Sequence, residues 1–126
     1  MRSIALGVAV MFALPAQACE LPGGGKSVDS SLYTLVYRSQ PERIKVGEHF
    51  ALDLAVCAKG AKALPGTVGV DAWMPEHRHG MNYKAAIRSL GAGRFRAEGL
   101  MLHMPGRWEF VFDVGGERLA DSIRME

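Results

Sequence analysis

Residues Trp108 to Met125 read WEFVFDVGGERLADSIRM, and this stretch decides the fold class. Trp108, Phe110, Phe112 and Val114 recur at every second position. An extended chain sends alternate side chains to opposite faces, so these four make one apolar face, whereas a helix would scatter them around its circumference. The adjacent Gly115-Gly116 pair has the conformational freedom that a tight hairpin turn demands, and Glu117 to Met125 returns as the partner strand.

Working outward, the same period of two recurs along the chain. Leu32–Arg38 (LYTLVYR) ends at Gln40-Pro41-Glu42. His49–Cys57 (HFALDLAVC) places Phe50, Leu52, Leu54 and Val56 on one face and is broken by Lys59-Gly60-Ala61-Lys62. Thr67–Met74 (TVGVDAWM) follows a Pro-Gly turn and aligns Val68, Val70 and Ala72, while Tyr83–Leu90 (YKAAIRSL) runs into Gly91-Ala92-Gly93. In Arg94–Met104 (RFRAEGLMLHM) the parity changes, since Phe95 is odd whereas Leu100, Leu102 and Met104 are even. Gly99 stands where a β-bulge would make that correction. Seven short strands with closely spaced turns and no helical period predict an all-β, immunoglobulin-like β-sandwich, with a small barrel as the alternative.

The first 18 residues read as a secretory signal peptide. Arg2 is the positive flank, Ile4–Pro15 the apolar run, and Ala16-Gln17-Ala18 a cleavage site of small residues. The run is shorter than the roughly 20 residues that a bilayer span needs. Cleavage would leave Cys19 first, which raises lipid attachment as a competing reading, but the residues before it are not those of a lipid-attachment site. Residues 19–31, rich in Gly, Pro and Ser, read as a flexible lead-in, and residues 32–126 as the sandwich domain. Cys19 and Cys57 are the only cysteines. In an oxidising compartment two cysteines are expected to form one disulfide, here worth about 3 to 4 kcal/mol through lost chain entropy. A pair of thiolate ligands or a redox couple is the other option, and the absence of C-x-x-C weighs against it.

Without Arg2, 14 of the 15 basic side chains face 13 acidic ones, interspersed along the chain. That balance argues against nucleic acid, which needs a clustered basic face. No nucleophile elbow, phosphate-binding glycine loop or paired catalytic carboxylates stand out, so an enzyme is the least supported class. Gly23-Gly24-Gly25 has no strand before it and no helix after it.

The chemistry concentrates in two segments, Trp73–Met81 (WMPEHRHGM) and Leu102–Trp108 (LHMPGRW). Three of the four histidines, His77, His79 and His103, lie in them. Met74, Met81, Met101 and Met104 lie in them or beside them. In extended chain His77, His79 and Met81 share one side, and Met101 with His103 shares a side opposite Leu100, Leu102 and Met104. Met74 and Met104, each before a proline at a strand end, suit the core as well as a site. His49, at a strand start, reads as surface. Thioether sulfur is soft and neutral and selects Cu(I), while imidazole serves Cu(I) and Cu(II) alike. Zinc prefers thiolate, imidazole and carboxylate, and finds here only His77, His79, His103 and Glu76.

MPEHRHGM, followed by GRFRAEGLMLHMPGRWEFVFDV, resembles the exported YtkA-like domains and the related soluble part of FixH-like proteins, over Leu32 to about Val114. The resemblance implies an immunoglobulin-like module and an association with copper handling and the assembly of copper-containing oxidases. Nothing in residues 19–126 reads as the transmembrane anchor of FixH-like proteins. Periplasmic copper chaperones of the copper A type place a methionine well upstream of a His-x-Met. Here 21 residues separate Met81 from His103, but the next methionine, Met104, is adjacent, so that likeness is one of chemistry alone.

The expectation is a monomeric periplasmic copper-binding protein, without catalysis, that buffers copper or delivers it to an envelope partner such as a copper oxidase or efflux system. Its ligands would come from His77, His79, Met81, His103, Met101 and Met104, with Cu(I) favoured and Cu(II) possible. The alternative is a metal-free interaction module of the cell envelope.

Overall fold

The computed structural model describes residues 7–12, 19–60 and 63–126. Arg2 and Ala16–Ala18, on which the signal-peptide reading rests, lie outside those residues, as do Ala61 and Lys62 of the turn after the second predicted strand. Among the described residues there are nine strands and no helix long and apolar enough to cross a membrane. In chain order they are β1 Lys26–Asp29, β2 Tyr33–Gln40, β3 Phe50–Ala58, β4 Val68–Met74, β5 His79–Gly80, β6 Ala86–Gly91, β7 Arg94–Leu100, β8 Gly106–Val114 and β9 Glu117–Met125. They form two antiparallel sheets, ordered β1-β2-β3-β7-β6 and β5-β4-β8-β9. The chain crosses between sheets after β3, β5 and β7.

The period-two faces meet as the core. Leu35, Leu52, Leu54 and Phe95 from one sheet pack on Ala72, Trp108, Phe110, Phe112 and Val114 from the other, all essentially without solvent contact. Aromatic rings carry much of the contact, with Tyr37 edge-on to Phe110 at 5.5 Å between centroids and Phe50 to Phe110 at 6.1 Å. Such pairs add about 1 kcal/mol beyond the area they bury. The Tyr37 hydroxyl donates to the Asp121 carboxylate across the two sheets.

Both turn readings hold. Val114 pairs with Glu117, and Gly115 and Gly116 take φ of 55° and 84°, the positive values of a type I′ hairpin. In the β3–β7 ladder Phe50 pairs with Leu100 but Leu52 with Ala97, so Glu98 and Gly99 together stand opposite Ala51. Gly99 has φ 80°. This bulge is what moves the apolar set from Phe95 and Ala97 to Leu100 and Leu102.

Three expectations are corrected. There are nine strands where seven were predicted, the additions being β1 and the two-residue β5. β7 ends at Leu100 and does not run on to Met104, because the chain must leave that sheet to begin β8 in the other. The lead-in, expected to be flexible, is tied down: β1 pairs with β2, and Leu21, 7% exposed, covers Val36 and Ala55 on the outer face of the first sheet. Those two residues are apolar on a face that would otherwise meet water, and the strap buries them. The Cys19–Cys57 disulfide is present and pins the strap to β3. That bond fits an exported protein.

Candidate metal centre

Two connections at one end of the sandwich carry the chemistry. The first is the β4–β5 hairpin, in which Met74 pairs with His79 and Trp73 with Gly80 across the turn Pro75–Arg78. The Arg78 amide donates to the Met74 carbonyl at 2.8 Å, and Arg78 itself is held at φ 55°, an unusual conformation for a residue with a Cβ. Directly paired residues project from the same face of a sheet. Met74 points into the core, fully buried, so His79 is turned toward the same interior. Gly80 permits the close approach, since a Cβ there would come within 3.3 Å of the Ala72 carbonyl oxygen. The Met81 amide reaches that same carbonyl at 3.2 Å.

The second connection is Met101–Pro105, between β7 and β8. Leu102 is fully buried, and its carbonyl accepts from the Gly47 amide at 2.9 Å. The buried Trp108 indole N–H donates to the Met104 carbonyl at 3.0 Å. These anchors on either side hold His103 in place.

The two connections meet through their histidines. The His79 and His103 ring centroids are 5.2 Å apart, and His77 lies 5.7 Å from His79 on the outer side. Trp108 packs against both inner rings, at 6.1 Å from His79 and 5.3 Å from His103, nearly perpendicular to each. His77 is exposed, and His79 and His103 are half-buried. The His79 Nδ1 faces the Gly80 carbonyl at 3.3 Å. Assigning the proton to Nδ1 on that contact leaves the Nε2 lone pair free. The Nδ1 of His103 is buried and has no hydrogen-bond partner. Buried polar atoms are almost always satisfied, so this nitrogen is open to a ligand or to water.

The predicted set is thus brought together in part. His77, His79 and His103 converge. Met81 and Met104 lie half-buried against the core at the same end. Met101 is half-buried where β7 ends, outside that packed cluster. Met74 is core, its methyl against Gly106, where a Cβ would come within 2.8 Å. The parity argument for His77 does not carry over, because residues 75–78 form a turn and not extended chain. His77 reaches His79 by the tightness of that turn.

Two nearby carboxylates are engaged by Arg107. Glu76 Oε1 accepts from Arg107 Nε at 3.0 Å, and Arg107 Nη1 also donates to Glu109 Oε1 at 3.1 Å and Ser122 Oγ at 3.3 Å. The Arg107 hydrogen bond holds the Glu76 carboxyl below its usual range. Among the described residues no three side chains of the His, Cys, Asp and Glu types form a metal-holding group, and both cysteines are spent in the disulfide. A metal at this end would have imidazole and thioether as its available donor types, which suit copper(I) better than zinc.

Sequence reasoning passed over two residues here. Trp108 was read only as core and Arg107 not at all. His49, read as surface, is exposed and packs edge-on against Tyr83 at 4.8 Å, two residues beyond Met81. The adjacency of Arg107 and Trp108 to the second motif was the available signal.

The family model described as YtkA-like matches residues 33–112. No curated protein and no solved structure matches the chain.

Proposed function

The chain belongs to the YtkA-like family, and from that premise we propose that it is a periplasmic, monomeric copper-binding protein that buffers copper or passes it to an envelope partner, without catalysing a reaction. His79 and His103 are the imidazole ligands, with the thioethers of Met81 and Met104 completing the donor set, and His77 stands beside them on the outer side. The observation that carries this reading is the His79–His103 pair, 5.2 Å between centroids, one of whose buried nitrogens has no partner.

Neutral imidazole and thioether donors suit a soft monovalent ion, and they resist the oxidation that would remove free thiols from an exported protein. The exposed His77 leaves one flank open to an incoming ligand from a partner. Trp108, buried beneath both inner rings, keeps them from turning away when the metal leaves.

Titration of the metal-free protein with Cu(I) against a competing chelator tests the proposal. Wild type should bind one equivalent, and the double variant His77→Ala, His79→Ala should lose that binding. Equal affinity in the double variant would sink the assignment.

A further inference from the structure

Gly23-Gly24-Gly25, which has no part in the histidine end, forms the lip of a cleft on the side of the sandwich where β1 and β9 come together. The cleft has a volume of about 500 Å³, within the range of small-molecule sites. The Gly24 amide donates to the Leu21 carbonyl at 3.0 Å, which turns the chain from the strap into β1. Gly25 then passes so close to β2 that a Cβ there would come within 2.7 Å of the Tyr37 carbonyl oxygen. A lip without side chains leaves the mouth unobstructed.

The lining is apolar with one uncommitted cation. The buried Tyr37, Phe110 and Met125 and the half-buried Ile44 and Ile123 supply the apolar part. Lys26 pairs directly with Tyr37, and directly paired residues project from the same face of a sheet. Tyr37 faces the core, so Lys26 is turned to the inner side of its sheet, on the cleft. Lys26 enters none of the ion pairs among the described residues. The other polar groups are committed elsewhere or lie outside. Arg38 is held by the Pro22 carbonyl and by Asp53, and the Tyr37 hydroxyl donates to Asp121. Arg124 pairs with Arg107 on the outer face of the second sheet, and Glu42 is exposed.

We propose that this cleft binds a free aliphatic carboxylate, its tail against Ile44, Ile123 and Met125 and its head on Lys26 Nζ. Burial of the tail supplies the attraction, and the single ammonium selects the sign of the charge. The site is separate from the copper reading, since no histidine lines the cleft.

The test titrates the full exported chain, metal-free and with its disulfide intact, with octanoate, acetate and octylammonium while amide resonances are followed by NMR. Octanoate should give saturable shifts at β1, Tyr37–Gln40 and Ile123–Met125 and leave His79 and His103 unmoved. Acetate, which lacks the tail, and octylammonium, which carries the opposite charge, should give none. Lys26→Gln should weaken octanoate binding by about five-fold, the scale of one exposed ion pair, and Lys26→Arg should keep it near wild type. Near-UV circular dichroism checks that both variants are folded. Octanoate shifts that do not saturate, or an equal response to octylammonium, would overturn the proposal. So would wild-type affinity in Lys26→Gln, which would leave Lys26 only as a guard of the β1 edge.

Discussion

His79, on the two-residue strand β5, and His103, in the connection between β7 and β8, stand 5.2 Å apart with their rings inclined at 31°, and both rest on the same buried indole, Trp108. Neither belongs to the other's sheet neighbourhood by sequence. The contact exists because the β4–β5 hairpin folds back at the end of the sandwich where the chain crosses from β7 to β8.

His103→Phe separates packing from ligation. Phenylalanine keeps a ring against Trp108 and removes the partnerless nitrogen, so the metal-free variant should gain about 1 kcal/mol in urea unfolding, the usual cost of an unsatisfied buried group. Its thermal midpoint should no longer rise on adding Cu(I). A variant that still responds to Cu(I) like wild type would take His103 out of the ligand set.

Tyr37 and Asp121 join the two sheets through a hydroxyl–carboxylate hydrogen bond. Burial, and then the neighbouring carboxylate, push the tyrosine hydroxyl far above its ordinary value, so it remains a donor throughout the working range of pH. Tyr37→Phe leaves Asp121 without that donor and should cost about 1 to 3 kcal/mol. Adding Asp121→Asn should restore part of the loss, a coupling that a double-mutant cycle in urea would measure.

Glu117 contributes to the acid limb. Its carboxylate accepts from Ser30 Oγ at 2.9 Å, Ser31 Oγ at 2.5 Å and the Leu32 amide at 2.8 Å. These bonds, the Ser31 hydroxyl first, lower its pKa. A depressed pKa contributes stability above the ordinary carboxylate value, and that stability is lost as pH falls through the lowered one. Unfolding curves across that window should therefore flatten in Glu117→Gln relative to wild type, and parallel curves for the two proteins would refute the assignment.

The Cys19–Cys57 bond closes a long loop and holds the Leu21 strap over Val36 and Ala55. Cys19→Ser with Cys57→Ser should cost about 3 to 4 kcal/mol by the chain-entropy argument. Because the strap packs on the outer face of the first sheet, hydrogen exchange should quicken at β1 and β2 while Cu(I) affinity stays near wild type.

Much of the fold was legible from short-range pattern. Period-two faces, the Gly115-Gly116 turn and the parity break at Gly99 are local properties, since each follows from backbone geometry within a few residues. The pairing of the two cysteines was legible for a related reason, there being only one partner for each. The candidate donors could be read as types, soft and neutral, because ligand preference belongs to the side chain itself.

Their arrangement could not be read that way. The parity that placed His77 with His79 fails inside the Pro75–Arg78 turn, where side chains have no fixed period, and no pattern within either motif states that the two connections meet. That meeting depends on which sheet each strand joins and at which end the chain crosses over. The lead-in was misjudged for the same reason: Leu21 finds its partners in Val36 and Ala55, residues whose outward apolar surface becomes visible only once both faces of the sheet are built. The hold of Arg107 on Glu76 is likewise tertiary, joining a turn to a strand of another hairpin. Sequence by itself determined seven of the nine strands, the glycine turn that joins the last two and the chemical kind of the candidate donors. Tertiary packing alone decided which histidines come together, because those are distances between segments that only the crossovers bring together.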